Sequence, residues 1–231
     1  MLKFITRTRP VVFNQVIYCI QITDLVNQGF LARLRYFYLP CRDWDAGNLE
    51  KNSNGSEYTD ESIKNEYARV DFHHHMCSVV ERLKKPKDGT KRKGILVFTQ
   101  FVEDAERAVL CVPHSDIVTG KTPKKEREQK IADFRSGKIE VLFNVNCLSV
   151  GFDYPELDTI VLARPTMSLA LYYQQVGRAL RPSPGKDGWI VDLVGNTQTF
   201  GKVEELVVTD RTKDGKWIVK NSRRQLTNVL L

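Results

Sequence analysis

An α/β fold, an open parallel sheet with helices on both faces, is what this 231-residue sequence predicts, and two observations carry the expectation. Past Gly94, the stretches Ile95 to Thr99, Ile117 to Thr119, Val141 to Val145, Thr159 to Ala163 and Trp189 to Leu193 are near-continuous apolar runs, as strands buried on both faces require. Between them, helices fit at 101–111, 123–136 and 168–181. Strands alternating with helices connect by right-handed crossovers, and ligands collect beyond the carboxyl ends of such strands. The turns that carry motifs are therefore expected at that edge.

Before the sheet, residues 16–22 (VIYCIQI) are β-branched and aromatic enough for a strand, and Thr23 with Gly29 can cap a short helix between them. Residues 34–39 (LRYFYL) read as another strand. The stretch from Asp43 to Glu61 is polar, acidic and rich in Asn, Ser and Gly, which predicts a mobile loop. Phe72, Met76, Val79, Val80 and Leu83 recur at helical spacing, so residues 71–84 are expected as an amphipathic helix, ended by Pro86 and Gly89. At the far end, Asp214-Gly215 between TDRTK and KWIVK is a hairpin signal, which predicts a C-terminal β appendage. The expected division is a small α/β linker region at 1–91, the main domain at 92–206 and the appendage at 207–231.

With 42% hydrophobic and 27% charged residues the chain is globular and long enough for a substantial core. The formal charge of +7 is unevenly spread. Residues 82–93 (RLKKPKDGTKRK) and 121–138 are basic, whereas residues 43–71 hold eight acids against three bases. A local excess of this kind is what a nucleic-acid track needs. The five cysteines are odd in number, widely spaced and never in C-x-x-C, so neither a disulfide framework nor a zinc site is suggested. His73, His74 and His75 are adjacent, and adjacent helix positions point about 100° apart and do not converge on one ion. No apolar run approaches the ~18 residues of a spanning helix and no signal-peptide pattern is present, so an intracellular, cytoplasmic protein (nuclear in a eukaryote) is expected.

The most informative stretch is Gln174-Gln175-Val176-Gly177-Arg178-Ala179-Leu180-Arg181. On a helix, Gln174, Arg178 and Arg181 fall at i, i+4 and i+7 and put an amide and two guanidinium forks on one face, while Tyr172, Val176 and Ala179 point elsewhere. Such a face grips an anion. Gly177 costs roughly 1 kcal/mol in a helix interior relative to alanine, which makes sense where a ligand or another backbone approaches closely. The alternative is a solvated helix face with two surface arginines.

Q-x-x-G-R-x-x-R resembles motif VI of superfamily two helicases, and three further motifs precede it in the family's order. Ile95 to Gln100 looks like motif IV. Asp116 to Thr122, followed by a basic helix ending in Phe134-Arg135-Ser136-Gly137, is similar to the strand, glycine and helix that come next. Val141 to Asp153 looks like motif V. The resemblance is firm over 92–206, weaker over 1–91, and nearer to repair, phage-recombination and restriction-enzyme motors than to DEAD-box enzymes, whose motif VI ends H-R-I-G-R-T-G-R.

The resemblance implies the second RecA-like domain of an ATP-dependent helicase acting on nucleic acid, with DNA favoured. Arg178 and Arg181 would reach the γ-phosphate, Gln174 would orient the arginine face or the attacking water, and Asp153 would contact the ribose, with Gly151 and Gly177 beside the nucleotide. Gly120-Lys121-Thr122 ends like the phosphate loop G-x-x-x-x-G-K-[ST], but Ser115 stands where its first glycine must be. Neither a phosphate loop nor an acidic D-E-x-H box occurs, so ATP and its Mg²⁺ are expected to depend on a first RecA-like domain, and this chain alone is expected to be inactive. Phe4 to Pro10 looks like the segment after motif III, which suggests an excised half or a split gene.

The nucleic-acid side is expected on helix N-termini. Thr122 before Pro123 reads as an N-cap with proline at the first helical position, and Gly120, Lys121, Lys124 and Lys125 surround it. Thr99-Gln100 and Ser149 with Gly151 hold equivalent strand-to-helix turns, and three such turns can bind successive phosphates without reading bases. Two other readings stand beside this one. One is a nucleic-acid-binding or regulatory module without ATPase activity; the other is an unrelated doubly wound enzyme.

Overall fold

The computed structural model describes residue 10 and residues 15–85, 89, 91–145, 147, 154–212 and 216–227. Six strands form one sheet in the order β1-β6-β5-β2-β4-β3, every neighbouring pair parallel: β1 (Arg33–Tyr38), β2 (Ile95–Thr99), β3 (Ser115–Thr119), β4 (Val141–Val145), β5 (Thr159–Ala163) and β6 (Asp187–Asp192). The helices are α1 (Ile22–Asn27), α2 (Asp60–Arg69), α3 (Phe72–Lys84), α4 (Val102–Cys111), α5 (Lys124–Arg135), α6 (Leu169–Val176) and α7 (Asn196–Phe200). Strands β7 (Val207–Thr209) and β8 (Ile218–Lys220) pair antiparallel as a separate ribbon. The expected hairpin appendage is present, although its Asp214-Gly215 turn lies outside the described residues.

The apolar runs form central strands because both sides of the sheet are covered. Successive side chains point to opposite faces. Phe37, Val97, Phe143, Val161 and Val191 therefore stand in a cross-strand row and pack with Ile63 of α2, Met76 and Val80 of α3, and Ala105 of α4. The alternate row, Leu142, Leu96, Ile160 and Ile190, packs with Ile22 of α1, Phe134 of α5, Tyr172 and Val176 of α6, and Phe200 of α7.

Two expectations about the N-terminal region change. Residues 15–21 form no strand, and Ile17 and Tyr18 are 91% and 78% exposed. β-branched composition makes a strand only where a sheet edge accepts it. Here the Gln21 side chain pairs, its amide exchanging two hydrogen bonds with the backbone of Val208 at 2.9 and 3.0 Å. α1 accordingly starts at Ile22 with Gln21 in the N-cap position, and the Thr23 hydroxyl donates to the Glu204 carbonyl instead of capping. Gly29, at φ +78°, follows the helix end as expected.

The stretch 43–61, expected as a mobile loop, is folded onto the domain. It holds a 3₁₀ turn at Ala46–Asn48, a bridge between Lys51 and Tyr58, and a buried Leu49. Trp44 Nε1 donates to the Val194 carbonyl at 3.2 Å. Beneath it, Glu66 of α2 is 3% exposed and accepts from Asp45 N, Asn48 Nδ2 and both Nε and Nη2 of Arg69. These bonds hold the Glu66 carboxyl down at about 2, against the burial that opposes them. A few apolar anchors and one buried carboxylate do the packing that the polar composition concealed.

Candidate nucleotide and nucleic-acid interfaces

The carboxyl ends of β2 and β3 lead into two of the expected phosphate turns. Thr99 is buried, its hydroxyl donating to the Asn144 carbonyl at 3.5 Å, so it braces β2 against β4 and does not face solvent. Gln100 Nε2 donates to Asp60 Oδ1 at 2.7 Å. After β3, the Thr122 hydroxyl accepts from Thr119 N at 2.9 Å, and the Lys121 N–H donates to Thr119 Oγ1 at 3.2 Å. Thr122 thus closes the turn back onto the strand and does not cap α5, where Pro123 occupies the N-cap position. Pro123 keeps a helix-compatible φ of -55° but has an extended ψ of 146°, so the helix starts one residue on. Gly120 has open space where a side chain would stand. Lys121 and Lys125 are exposed, and Lys124 is 91% exposed in its side chain, beside Glu128 at 4.0 Å. Ser149, Gly151 and Asp153 lie outside the described residues.

Motif VI is placed differently from the expectation. The helix ends at Val176, and Gly177 to Leu180 continue as a tighter turn in which Arg178 N and Ala179 N donate three residues back, to Gln175 and Val176 at 3.3 and 3.0 Å. Gln174 is therefore on α6, whereas Arg178 and Arg181 follow its end. Backbone approach accounts for Gly177, since an added Cβ would sit 2.9 Å from the Tyr173 carbonyl.

α6 runs back across the sheet, antiparallel to the strands, so its last turn reaches their amino ends. The Leu180 carbonyl accepts from Ala32 N, just before β1, at 2.8 Å. The Arg181 carbonyl accepts from Lys186 Nζ, just before β6, at 2.7 Å. Gly188 in β6 packs so closely on Ala179 that an added Cβ would lie 2.9 Å from its carbonyl. The motif VI arginines and the β2 and β3 turns thus stand at opposite edges of the sheet, not together at the carboxyl edge. A crossover helix must return to where the next parallel strand begins, and its final residues go with it.

Gln174 is exposed, and Arg178 and Arg181 are half-buried. Burial lowers the Arg178 pKa from the ordinary arginine value, yet a guanidinium stays protonated in proteins. Partial desolvation strengthens its pull on an anion. Lys186 is pushed down to about 8, first by burial and then by Arg181, with Asp158 opposing. It lines a cleft of about 490 Å³ with Arg35, Arg92, Lys93, Asp158 and Trp189. Sequence reasoning passed over Gln175, which is 3% exposed with its Oε1 lacking a hydrogen-bond partner. It also passed over Glu57, which reaches the turn between β5 and α6; polar composition alone gave no signal for either.

Residues 74–183 match the family of the helicase conserved C-terminal domain. The chain carries a helicase C-terminal domain. Among its relatives, a 51.5 kDa protein of a Lactococcus phage (isolate 7-9) is 33% identical over 181 residues, covering 77% of this chain and 38% of the phage protein. A Saccharomyces cerevisiae protein named as a candidate ATP-dependent helicase, IRC3, is 41% identical over 83 residues, 36% of this chain and 12% of the yeast protein. Other relatives include proteins named as a DNA translocase and as RNA helicases. The fold is the RecA-like one of superfamily two C-terminal domains. A solved fragment assigned to the HsdR subunit of a type I restriction enzyme from Vibrio vulnificus YJ016 aligns with TM-score 0.63 at 22% identity, covering 84% of this chain and 38% of the fragment. This chain thus spans well under half the length of these proteins.

The described part of the chain offers guanidinium and amide groups that suit an anion. Among the described residues no group of three His, Cys, Asp or Glu side chains could hold a metal ion. No described helix is long and apolar enough to cross a membrane.

Proposed function

We propose that this chain is the C-terminal motor half of an ATP-dependent DNA helicase or translocase, completed by a first RecA-like domain that binds ATP and Mg²⁺. The observation that supports this most is the motif VI turn, where Gly177 permits a close backbone approach and Arg178 and Arg181 stand half-buried just past the end of the helix that carries the exposed Gln174. A pair of planar guanidiniums held there stabilises charge developing on a transferred phosphoryl group, and such an arginine is worth about 10³ to 10⁵ in rate. Gln174 positions that face or the attacking water. Asp153, with Gly151, reaches the ribose.

At the opposite edge the nucleic-acid backbone passes the β2 and β3 turns, with Gln100, Gly120, Lys121, Lys124 and Lys125 contacting phosphates, Ser149 continuing the line, and Thr99 and Thr122 shaping the turns from within. DNA is favoured over RNA by the Q-x-x-G-R-x-x-R form of motif VI. The domains divide at 1–91, 92–206 and 207–231, and the protein works in the cytoplasm or nucleus.

The test places Arg178→Ala and Arg181→Ala in the longer protein that includes the first motor domain. Each variant keeps its melting temperature and its nucleotide-free affinity for DNA, while turnover falls by about two orders of magnitude or more. Arg181→Lys rescues little, because an ammonium does not reproduce the fork. The 231-residue chain alone shows no nucleic-acid-stimulated hydrolysis. Near-normal turnover in the variants, or loss explained by unfolding, would make the turn structural.

A further inference from the structure

The stretch that composition placed in solvent reaches the carboxyl edge of the sheet and lays two carboxylates on neighbouring turns. Glu57 Oε2 accepts from the Thr166 hydroxyl at 2.5 Å, and its Oε1 accepts from the Met167 N–H at 2.8 Å. Both partners are buried, at 1% and 5% exposure, in the turn between β5 and α6. Arg164 of the same turn interacts electrostatically with Glu57 and Asp60. On the adjoining turn after β2, Asp60 takes the Gln100 amide. A backbone N–H and a hydroxyl at the start of a helix, with an arginine beside them, are the donors a phosphate oxygen seeks. Here the protein's own carboxylate fills them.

We propose that Glu57 is an internal phosphate surrogate that closes the β5–α6 turn to nucleic acid, so that the backbone track stops at β2 and runs from there toward β3. The sheet order supports this: along β5, β2, β4 and β3, carboxylates sit on the first two turns, and Lys121, Lys124 and Lys125 stand at the last. A strand of phosphodiesters following this edge meets attraction at β3 and both occupied donors and like charge at β5. The inference rests on the nucleic-acid reading of the carboxyl edge given above, and it adds where the track ends and which residue ends it.

The experiment measures binding of single-stranded oligonucleotides of increasing length to the 231-residue chain across a range of salt, for the native protein, Glu57→Gln, Glu57→Ala and a Lys121, Lys124, Lys125 triple alanine variant. Glu57→Ala opens one phosphate position. The slope of log affinity against log salt then steepens by about 0.7, which at 0.1 M salt is about a fivefold gain relative to a 1 M reference. The site also lengthens by about one nucleotide. Glu57→Gln removes the charge yet leaves a side chain on the donors, so its gain is smaller. Should Glu57→Ala not fold, Glu57→Gln carries the comparison alone. If the triple variant binds more weakly while both Glu57 variants keep the native affinity, slope and site length, Glu57 is only a brace and the inference is overturned. If the triple variant binds as tightly as the native protein, the nucleic-acid reading itself is what fails.

Discussion

Replacing Glu66 with glutamine should cost the domain about 3 kcal/mol at neutral pH and remove one acid-sensitive step from its stability. The carboxyl is 3% exposed and accepts four hydrogen bonds, from Asp45, Asn48 and twice from Arg69. Its pKa falls from 4.5 to about 2, with the Arg69 hydrogen bonds the largest cause. At about 1.4 kcal/mol per unit, that difference corresponds to about 3 kcal/mol of differential stabilisation. Because the folded value lies below the unfolded one, the contribution is complete above pH 4.5 and is lost as pH falls toward about 2. A glutamine keeps one acceptor oxygen and turns an NH₂ toward donors, so bonds are lost as well as charge. For a domain of this size the loss lowers the melting temperature by about 6 to 12 °C. Urea unfolding of native and variant protein at pH 7, 4.5 and 3 tests this, and the native protein should lose more between pH 4.5 and 3 than Glu66→Gln does. Parallel pH profiles, or a difference under about 1 kcal/mol at pH 7, would refute the reasoning.

Changing Lys121, Lys124 and Lys125 together to alanine should leave the melting temperature unchanged and flatten the salt slope of single-strand binding by up to about 2, uniformly across sequences. Fluorescence anisotropy at several salt concentrations shows it, and unaltered slopes would move the track elsewhere. Gly177→Ala sets a Cβ 2.9 Å from the Tyr173 carbonyl; overpacking of about 1 to 3 kcal/mol should outweigh a gain of roughly 1 kcal/mol in helix propensity. The variant should melt lower, and turnover of the longer protein should fall further than its stability explains; a higher melting temperature would mean the turn relaxes without cost.

The central sheet was legible because burial on both faces leaves an unbroken apolar run, as in Ile95 to Thr99 and Thr159 to Ala163. The same logic fails for VIYCIQI, since composition carries no information on whether a sheet edge is available. It fails again for 43–61, where Trp44 and Leu49 are too sparse to show a period yet suffice, with Glu66 of α2 beneath them, to anchor the chain. The candidate site divides in the same way. Motif order and residue types could be read along the chain, because those residues are adjacent in it. Their placement could not, because it depends on where α6 stops and which way it crosses the sheet. Glu57 was invisible for a related reason: its partners Thr166 and Met167 are more than a hundred residues away.

α6 is what joins the two edges. Its eight residues span about 12 Å at 1.5 Å per residue. At one end Ser168 caps it through Leu171 N at 3.2 Å, and Glu57 holds the preceding turn. At the other end the turn carrying Arg178 is fastened to Ala32 and Lys186. Between them Tyr172, Val176 and Ala179 are fully buried, and the Tyr172 ring stacks on Phe200 at 5.1 Å while its hydroxyl donates to the Gly201 carbonyl at 2.7 Å. A close-packed element of this kind shifts as a body more readily than it bends. In the proposed motor, therefore, displacement of Arg178 by a phosphate also moves the β5–α6 turn at the other end of the helix, beside the β2 turn where the proposed track stops. The movement crosses the sheet through the rigidity of that helix, without a relay of side chains along it.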